Sequence, residues 1–433
     1  MKGNCTVMLL LAVSSLAVAI PSAKCQAEVD AYCAINCLPA IASRPCSGPQ
    51  MARLSGGVQG ASEAWRCYSP ETLDADNKSY VSGTCYCTRD APIRTLLDRC
   101  ANPPPFTPVD AFVSGADGYH TYRIPSLVTA TNGDLLLFAE GRKFSSSDHD
   151  WNDIVMKRSS DGGKTWGAMQ VVYSESSATK HVTIGNPAPI VLHSKPGTVL
   201  LIMCRENKAV LQLSSADHGV TWSVNASDVS PQAMDPSWTW VATGPPGGLQ
   251  LDSGRIILAS DHYPKDATAW ASHVMYSDDD GTSWQLGNNL AGPGGGNECQ
   301  AAPASNGSLV LNMRTRMGYR QFSWSNDNGT SWSDPITAPL AQRKYGGGSC
   351  EGSTVMLPGS GVLAFSTPWA AAGRENLTVL TSTDSGATWA PRVNVDPGPS
   401  AYSSMQPINA THVYLVYESR SYGALTGLVL QVA

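Results

Sequence analysis

The sequence predicts an all-β protein, a six-bladed β-propeller preceded by a small cysteine-rich, disulfide-stapled module. Three observations carry that expectation. The motif Ser-x-Asp-x-Gly-x-Thr/Ser-Trp begins at Ser159, Ser215, Ser277, Ser325 and Ser382. Short apolar runs that follow turn residues recur six times, from Leu135–Phe138 to Val413–Val416. Eight cysteines crowd between Cys25 and Cys100, whereas the long stretch after Cys100 holds only Cys204, Cys299 and Cys350.

Composition fits a turn-rich β chain. The 433 residues include 40 Gly and 29 Pro, and charged residues make up 15%, below the ~25% usual for globular chains. A net charge of −6 without a basic run gives no reason to expect nucleic acid.

Residues 1–23 read as a secretory signal: Lys2 supplies the positive start, Val7–Ile20 is apolar, and Ala17, Ala19 and Ala23 are small. An uncleaved anchor is the rival reading, but the run is short for a span. No other segment is long and apolar enough to span, and the C-terminus lacks a lipid-anchor pattern. The mature protein is therefore expected in the secretory lumen or outside the cell, with no membrane span once the signal is removed. Glycosylation acceptors at Asn77, Asn225, Asn306, Asn328, Asn376 and Asn409 fit that route.

Residues 24–101 form the expected module. Eight cysteines allow four bridges in an oxidising compartment. A zinc site is the alternative, but the window has no His and no paired Cys-x-x-Cys knuckles. Residues 102–105, Asn102-Pro103-Pro104-Pro105, read as a stiff linker.

The propeller is expected over 106–433. Successive boxes lie 56, 62, 48 and 57 residues apart, the spacing of four-stranded blades. The sixth blade lacks a box because the chain ends there, and an early strand near Asp110–Ser114 would complete it. In each blade the box should occupy the turn between the third and fourth strands. That turn lies on the face opposite the starts of the inner strands. Asp161, Asp217, Asp279, Asp327 and Asp384 are thus expected to hold turns and not to catalyse. Each box is too short and carboxylate-poor to cage calcium. No metal and no cofactor are expected.

The other face gathers different residues. Arg123, Glu298 and Tyr402 start inner strands, Arg314 and Glu418 end second strands, and Asp148 and Arg374 lie in the loops that follow second strands. Cys299 and Cys350 open adjacent inner strands in Gly-rich segments, so a disulfide between them is expected, with Cys204 a buried thiol.

The region Ala111–Val432 resembles the exo-sialidases, glycoside hydrolases of the Asp-box propeller type. The resemblance rests on Tyr122-Arg123-Ile124-Pro125, on Leu311-Asn312-Met313-Arg314, and on Arg374 before the fifth box. It rests also on two spacings of 16, Glu298 to Arg314 and Tyr402 to Glu418. It implies that Arg123, Arg314 and Arg374 clamp a substrate carboxylate, which planar guanidinium groups suit better than Lys. It implies that Tyr402 is the nucleophile and Glu298 its base, and that Asp148 is the acid/base, with Asp150 the competing residue in a crowded acidic loop. Sialidases are an exception to the two-carboxylate rule of glycosidases, using a tyrosine nucleophile. Glu418 is expected to pair with Arg123, and Arg142 to contact a ring hydroxyl or to pair with Glu140. The implied partners are sialylated glycoconjugates. The same residues would serve a trans-sialidase, while a non-catalytic lectin would not need all of them.

Overall fold

The computed structural model describes residues 107–433 except 268, 291–294, 316–318, 338–349 and 371–372, together with three earlier strands. The chain divides into two compact units, Met1–Pro104 and Pro105–Ala433. In the first unit, Met51–Arg53, Arg66–Tyr68 and Cys85–Tyr86 make one antiparallel sheet, in which Cys67 lies across from Cys85. The signal segment, the disulfide framework and the proline linker fall outside the described residues.

Among its described residues the second unit is all-β apart from a four-residue helix, Ser230–Ala233. No described helix is long and apolar enough to cross a membrane. Its strands form six antiparallel quartets. The first is Thr121–Thr129, Leu135–Arg142, Asn152–Ser159 and Gln170–Tyr173. The second is Ile184–Val191, Val199–Arg205, Ala209–Ser215 and Ser227–Asp228. The third is Trp238–Thr243, Ile256–Pro264, Ala271–Ser277 and Gln285–Leu286, with Leu249–Gln250 added beside its second strand. The fourth is Cys299–Pro303, Leu309–Arg314, Arg320–Ser325 and Ile336–Thr337.

The last two quartets share one long strand, Ala390–Pro407, within a seven-stranded sheet. Its first part pairs with Glu375–Ser382, behind Leu363–Pro368 and Ser353–Met356. From Ser400 onward it pairs with His412–Ser419, which pairs with Ala424–Gln431. Val109–Val113 then pairs with Ala424–Gln431 and supplies the sixth quartet's outer strand, so a strand from the start of this unit seals its end. Tyr402 therefore sits inside a continuous strand, not at a strand start as expected.

Packing is cyclic. Six buried apolar clusters each join one consecutive pair of quartets. Phe138 and Leu201 share the first, Ile202 and Leu258 the second, and Ile257 and Leu311 the third. Val310 and Phe365 share the fourth, and Val379 and Leu415 the fifth. The sixth brings Leu137 against Tyr414 and joins the last quartet to the first.

The boxes lie between third and fourth strands and behave as turns. In the first, Ser159 Oγ donates to Asp161 Oδ1 (2.7 Å) and accepts from Gly163 N (2.8 Å). Asp161 in turn accepts from Thr165 N (3.0 Å) and Thr165 Oγ1 (2.6 Å). Both carboxylate oxygens are thus engaged by their own loop, which leaves no open oxygen cage for calcium. Gly163 sits at φ 86°, and a Cβ there would overlap the Tyr414 ring. The box tryptophans Trp284, Trp332 and Trp389 are buried in the second, third and fourth clusters.

Candidate active site

Backbone irregularities aim the inner strands. Register slips between Arg123 and Ser126, where Ile124 takes a left-handed φ of 56°. A β-branched residue there is strained, by about 1–3 kcal/mol, and persists only where its surroundings fix it. Here the Ile124 N–H donates to Glu418 Oε1 at 2.9 Å, while Pro125 has no N–H to place. A second slip falls between Ser400 and Ser403 and turns Tyr402 out of register. Bulges of this kind re-aim side chains beside functional sites.

Those two slips meet at Glu418. Its carboxylate accepts from Arg123 Nε (3.0 Å), Arg123 Nη2 (3.1 Å) and the amides of Ile124 and Tyr402, the latter at 3.2 Å. The carboxylate is saturated, and Arg123 keeps only its Nη1 edge for other partners.

Tyr402 stands at the centre. Its hydroxyl donates a short hydrogen bond to Glu298 Oε1 and accepts from Arg314 Nη1 at 3.0 Å. Arg314 Nη1 also pairs with Glu298 Oε2. The guanidinium carbons of Arg123 and Arg374 lie 5.1 Å and 5.2 Å from the Tyr402 ring centre. Burial pushes the Tyr402 phenol well above its ordinary pKa, and the Glu298 charge adds to this. Arg314 and Arg374 pull the other way without prevailing. The resting tyrosine is thus a neutral phenol whose proton points at a carboxylate.

Of the two rival aspartates, the structure brings Asp148 to this cluster. Its Oδ1 lies 3.1 Å from Arg123 Nη1 and 2.7 Å from Arg142 Nη1, and its side chain is 71% exposed. Desolvation raises the Asp148 pKa, but Arg142 and Arg123 outweigh it and hold the carboxyl below its ordinary value. Asp150 turns to His181 (2.6 Å), and its N–H donates to Thr183 Oγ1. Arg142 is buried and paired with Glu140 through Nε (3.0 Å) and Nη2 (2.7 Å), while Nη1 also reaches Ser146 O. The salt bridge, rather than a free edge for a ring hydroxyl, is what the structure contains.

The expected Cys299–Cys350 disulfide is absent: both thiols are free and buried, as is Cys204. Cys299 Sγ contacts Ser260 O at 3.3 Å, in the cluster between the third and fourth quartets. Cys350 faces Ile124, Ala401 and Tyr402 instead. Adjacent strand starts did not bring the thiols together: Cys299 is buried between the third and fourth quartets, whereas Cys350, just ahead of the fifth, packs against residues of the first and sixth.

Sequence reasoning missed Tyr422. Its ring lies 4.4 Å from the Arg123 guanidinium carbon, and its hydroxyl accepts from Arg374 Nη1 at 3.2 Å. It joins two of the three arginines. Glu351 and Arg320 were missed as well. Glu351 accepts from Ser403 N (2.9 Å), Arg320 Nη1 donates to Cys350 O (2.8 Å), and burial raises the Glu351 pKa well above normal. A single charged residue within each of two otherwise uncharged segments, Tyr319–Trp324 and Gly346–Met356, was the available signal.

A cavity of about 610 Å³ lies at the other ends of the inner strands, bordered by Gln250, Gln300, Thr354 and Gln406. It holds no Arg, Lys, Asp or Glu. The charges and convergent polar groups lie instead with Tyr402.

Residues 133–415 match the family model described as BNR repeat-like domain. A sialidase of Bacteroides fragilis is 29% identical over 341 residues, covering 71% of this chain and 61% of its own. One from Micromonospora viridifaciens is 30% identical over 350 residues, covering 73% and 52%. The chain thus spans only about half to three fifths of those relatives. The solved structure of Hadza microbial sialidase Hz136 superposes with a TM-score of 0.67 at 25% identity, covering 86% of this chain and 74% of that one. By the match over residues 133–415 the chain belongs to the family of BNR repeat-like domains, and over most of its length it is similar to sialidases.

Proposed function

We propose that this protein is a secreted exo-α-sialidase that hydrolyses terminal α-linked sialic acids from glycoconjugates with retention. In this reading the six quartets are the blades of a six-bladed propeller, and the first compact unit is a separate disulfide-stapled module. The observation that carries it is the placement of the Tyr402 hydroxyl between Glu298 and Arg314, with Arg123 and Arg374 beside the same ring.

A sialoside carries its carboxylate on the anomeric carbon. Arg123, Arg314 and Arg374 bind that anion, which would repel a carboxylate nucleophile but not a phenol. Tyr402 Oη attacks the anomeric carbon as Glu298 takes its proton. The glycosidic bond breaks while Asp148 gives its proton to the departing oxygen. Water then attacks the glycosyl-tyrosine from the face that the leaving group vacated, opposite Tyr402, losing a proton to Asp148, and Glu298 returns the proton to Tyr402. Two inversions give net retention. Glu418 fixes Arg123 throughout.

The resting Asp148 is an anion, yet the first step needs it protonated. The ion pairs resolve this. A substrate carboxylate that takes the Nη1 edge of Arg123 removes one of the two cations that hold Asp148 down, and adds a negative charge nearby. Both changes raise the Asp148 pKa, so substrate binding itself loads the acid.

Turnover of a fluorogenic sialoside tests the activity, and NMR of the first-formed anomer tests retention. Release of free sialic acid separates hydrolysis from transfer. An inert wild-type protein, or first release of the β anomer of free sialic acid, the product of inversion, contradicts the reading.

A further inference from the structure

We propose that Phe144, braced by Trp151 and His181, is the subsite for the leaving group, and that it takes a pyranose ring through its C–H face. This rests on the sialidase reading, in which Asp148 protonates the glycosidic oxygen. The leaving group must then begin within hydrogen-bonding distance of Asp148. Tyr402, Glu298, Arg314 and Arg374 hold the sialic acid side, so the loop that carries Asp148 borders the leaving-group side.

That loop, between Leu135–Arg142 and Asn152–Ser159, carries Phe144 with 53% of its surface exposed. Among the described residues the other large exposed apolar side chains are all Val or Ile, and Phe144 is the one aromatic. Leaving a phenyl ring in water forgoes its burial energy, so an exposed loop with no use for it would favour a polar residue.

The ring is also held. Trp151 meets it edge-on at 6.0 Å and 88°, and His181 lies at 5.3 Å and 36°. Trp151 Nε1 donates to Asp153 Oδ2 at 3.0 Å, and His181 pairs with Asp150 at 2.6 Å. Lys143 N donates to Trp151 O, and Asn152 Nδ2 to Asp148 O, both at 3.0 Å. The bracing that fixes the aromatic group is therefore the bracing that fixes the acid. This also gives Asp150 a purpose apart from catalysis: it anchors His181 behind the platform.

Aromatic faces pack against the C–H face of a pyranose, and a non-reacting part of the substrate can lower the barrier through such contact. The test compares two sialosides with similarly poor leaving groups. Sialyllactose presents a galactose ring, whereas methyl α-sialoside presents no ring. For Phe144→Ala we expect kcat/KM on sialyllactose to fall about tenfold, and kcat/KM on methyl α-sialoside to stay within about twofold. Phe144→Tyr should restore the sialyllactose rate. Equal losses on both substrates, or an unchanged rate on sialyllactose, would overturn the subsite. A wild-type protein inert towards both would overturn the parent reading, and the subsite with it.

Discussion

Replacing Glu418 with Gln removes one negative charge and changes the shape hardly at all. The consequences can be worked from four contacts. The carboxylate receives two N–H groups from Arg123 and one each from the Ile124 and Tyr402 amides, and its side chain is fully buried. The Gln oxygen can keep the pair on one side, Arg123 Nε and Ile124 N. Its NH2 then faces Arg123 Nη2 and Tyr402 N, donor against donor. The buried Arg123 guanidinium also loses its principal counter-charge, since Asp148 is largely exposed. Removing one partner of a buried pair costs about 3–5 kcal/mol. With Asp148 still partly compensating, we expect a loss near the lower end, about 3 kcal/mol of unfolding free energy. The strain at Ile124 loses an anchor too, so kcat/KM on a sialoside should fall at least about tenfold. Urea titration followed by tryptophan fluorescence reads the stability, provided the slope with urea is unchanged. An unfolding free energy within about 1 kcal/mol of wild type, with unchanged kcat/KM, would refute Glu418 as the anchor of the site.

The acid/base assignment predicts that Asp148→Asn loses about 10²–10⁴-fold on natural sialosides and far less on aryl sialosides, whose departure needs little protonation. Asp150→Asn should be mild on both, and steady-state kinetics on the two substrate classes decide. Tyr422→Phe keeps the ring over Arg123 but removes the acceptor for Arg374. A rise in KM of about two- to fivefold with little change in kcat is expected, and a kcat loss without a KM change would contradict it. His262 and His273 predict a pH effect on stability: their Nδ1 atoms lie 3.0 Å apart in full burial. Burial holds His262 down to about 4 and His273 well below its ordinary value. Between the unfolded pKa near 6.5 and about 4, the unfolded chain binds protons that the folded chain refuses. Stability should therefore be full above that window and fall with acidification through it, by up to about 1.4 kcal/mol per pH unit for each histidine. Urea midpoints at several pH values should show a shallower fall in His262→Gln than in wild type.

Repetition made the fold legible. A box with Ser, Asp, Gly and Trp at fixed offsets defines one turn, and its recurrence fixes where third strands end and fourth strands begin. The arginines, Glu298 and Glu418 followed from that register, because strand ends alternate between two faces. What the sequence hides is local. The slip at Ile124 arises from contacts with Glu418, nearly three hundred residues away, which no neighbouring residue encodes. The continuous strand through Tyr402 depends on Ser400 pairing with Ser419 while Pro399 still pairs with Glu375. Tyr422 reaches the arginines because Arg420, Ser421 and Tyr422 all take left-handed φ, at 54°, 54° and 71°. Such a run has no compositional signature, as only Gly and Asn favour that region strongly. The cysteine expectation failed for a related reason. Strand adjacency predicts how far apart Cα atoms lie, but not which side of the sheet each Sγ faces.

The central claim is that Tyr402 becomes covalently bonded to the sugar. A fluorinated sialoside that forms the intermediate quickly and releases it slowly should leave an adduct on the wild-type protein. Peptide mass spectrometry should place that mass on the segment containing Ala401-Tyr402-Ser403, at Tyr402. Tyr402→Phe removes one oxygen from a buried ring, so the fold should survive while both label and turnover disappear. A label on Glu298 or any other residue, or near-normal turnover by the Phe variant, would contradict the account.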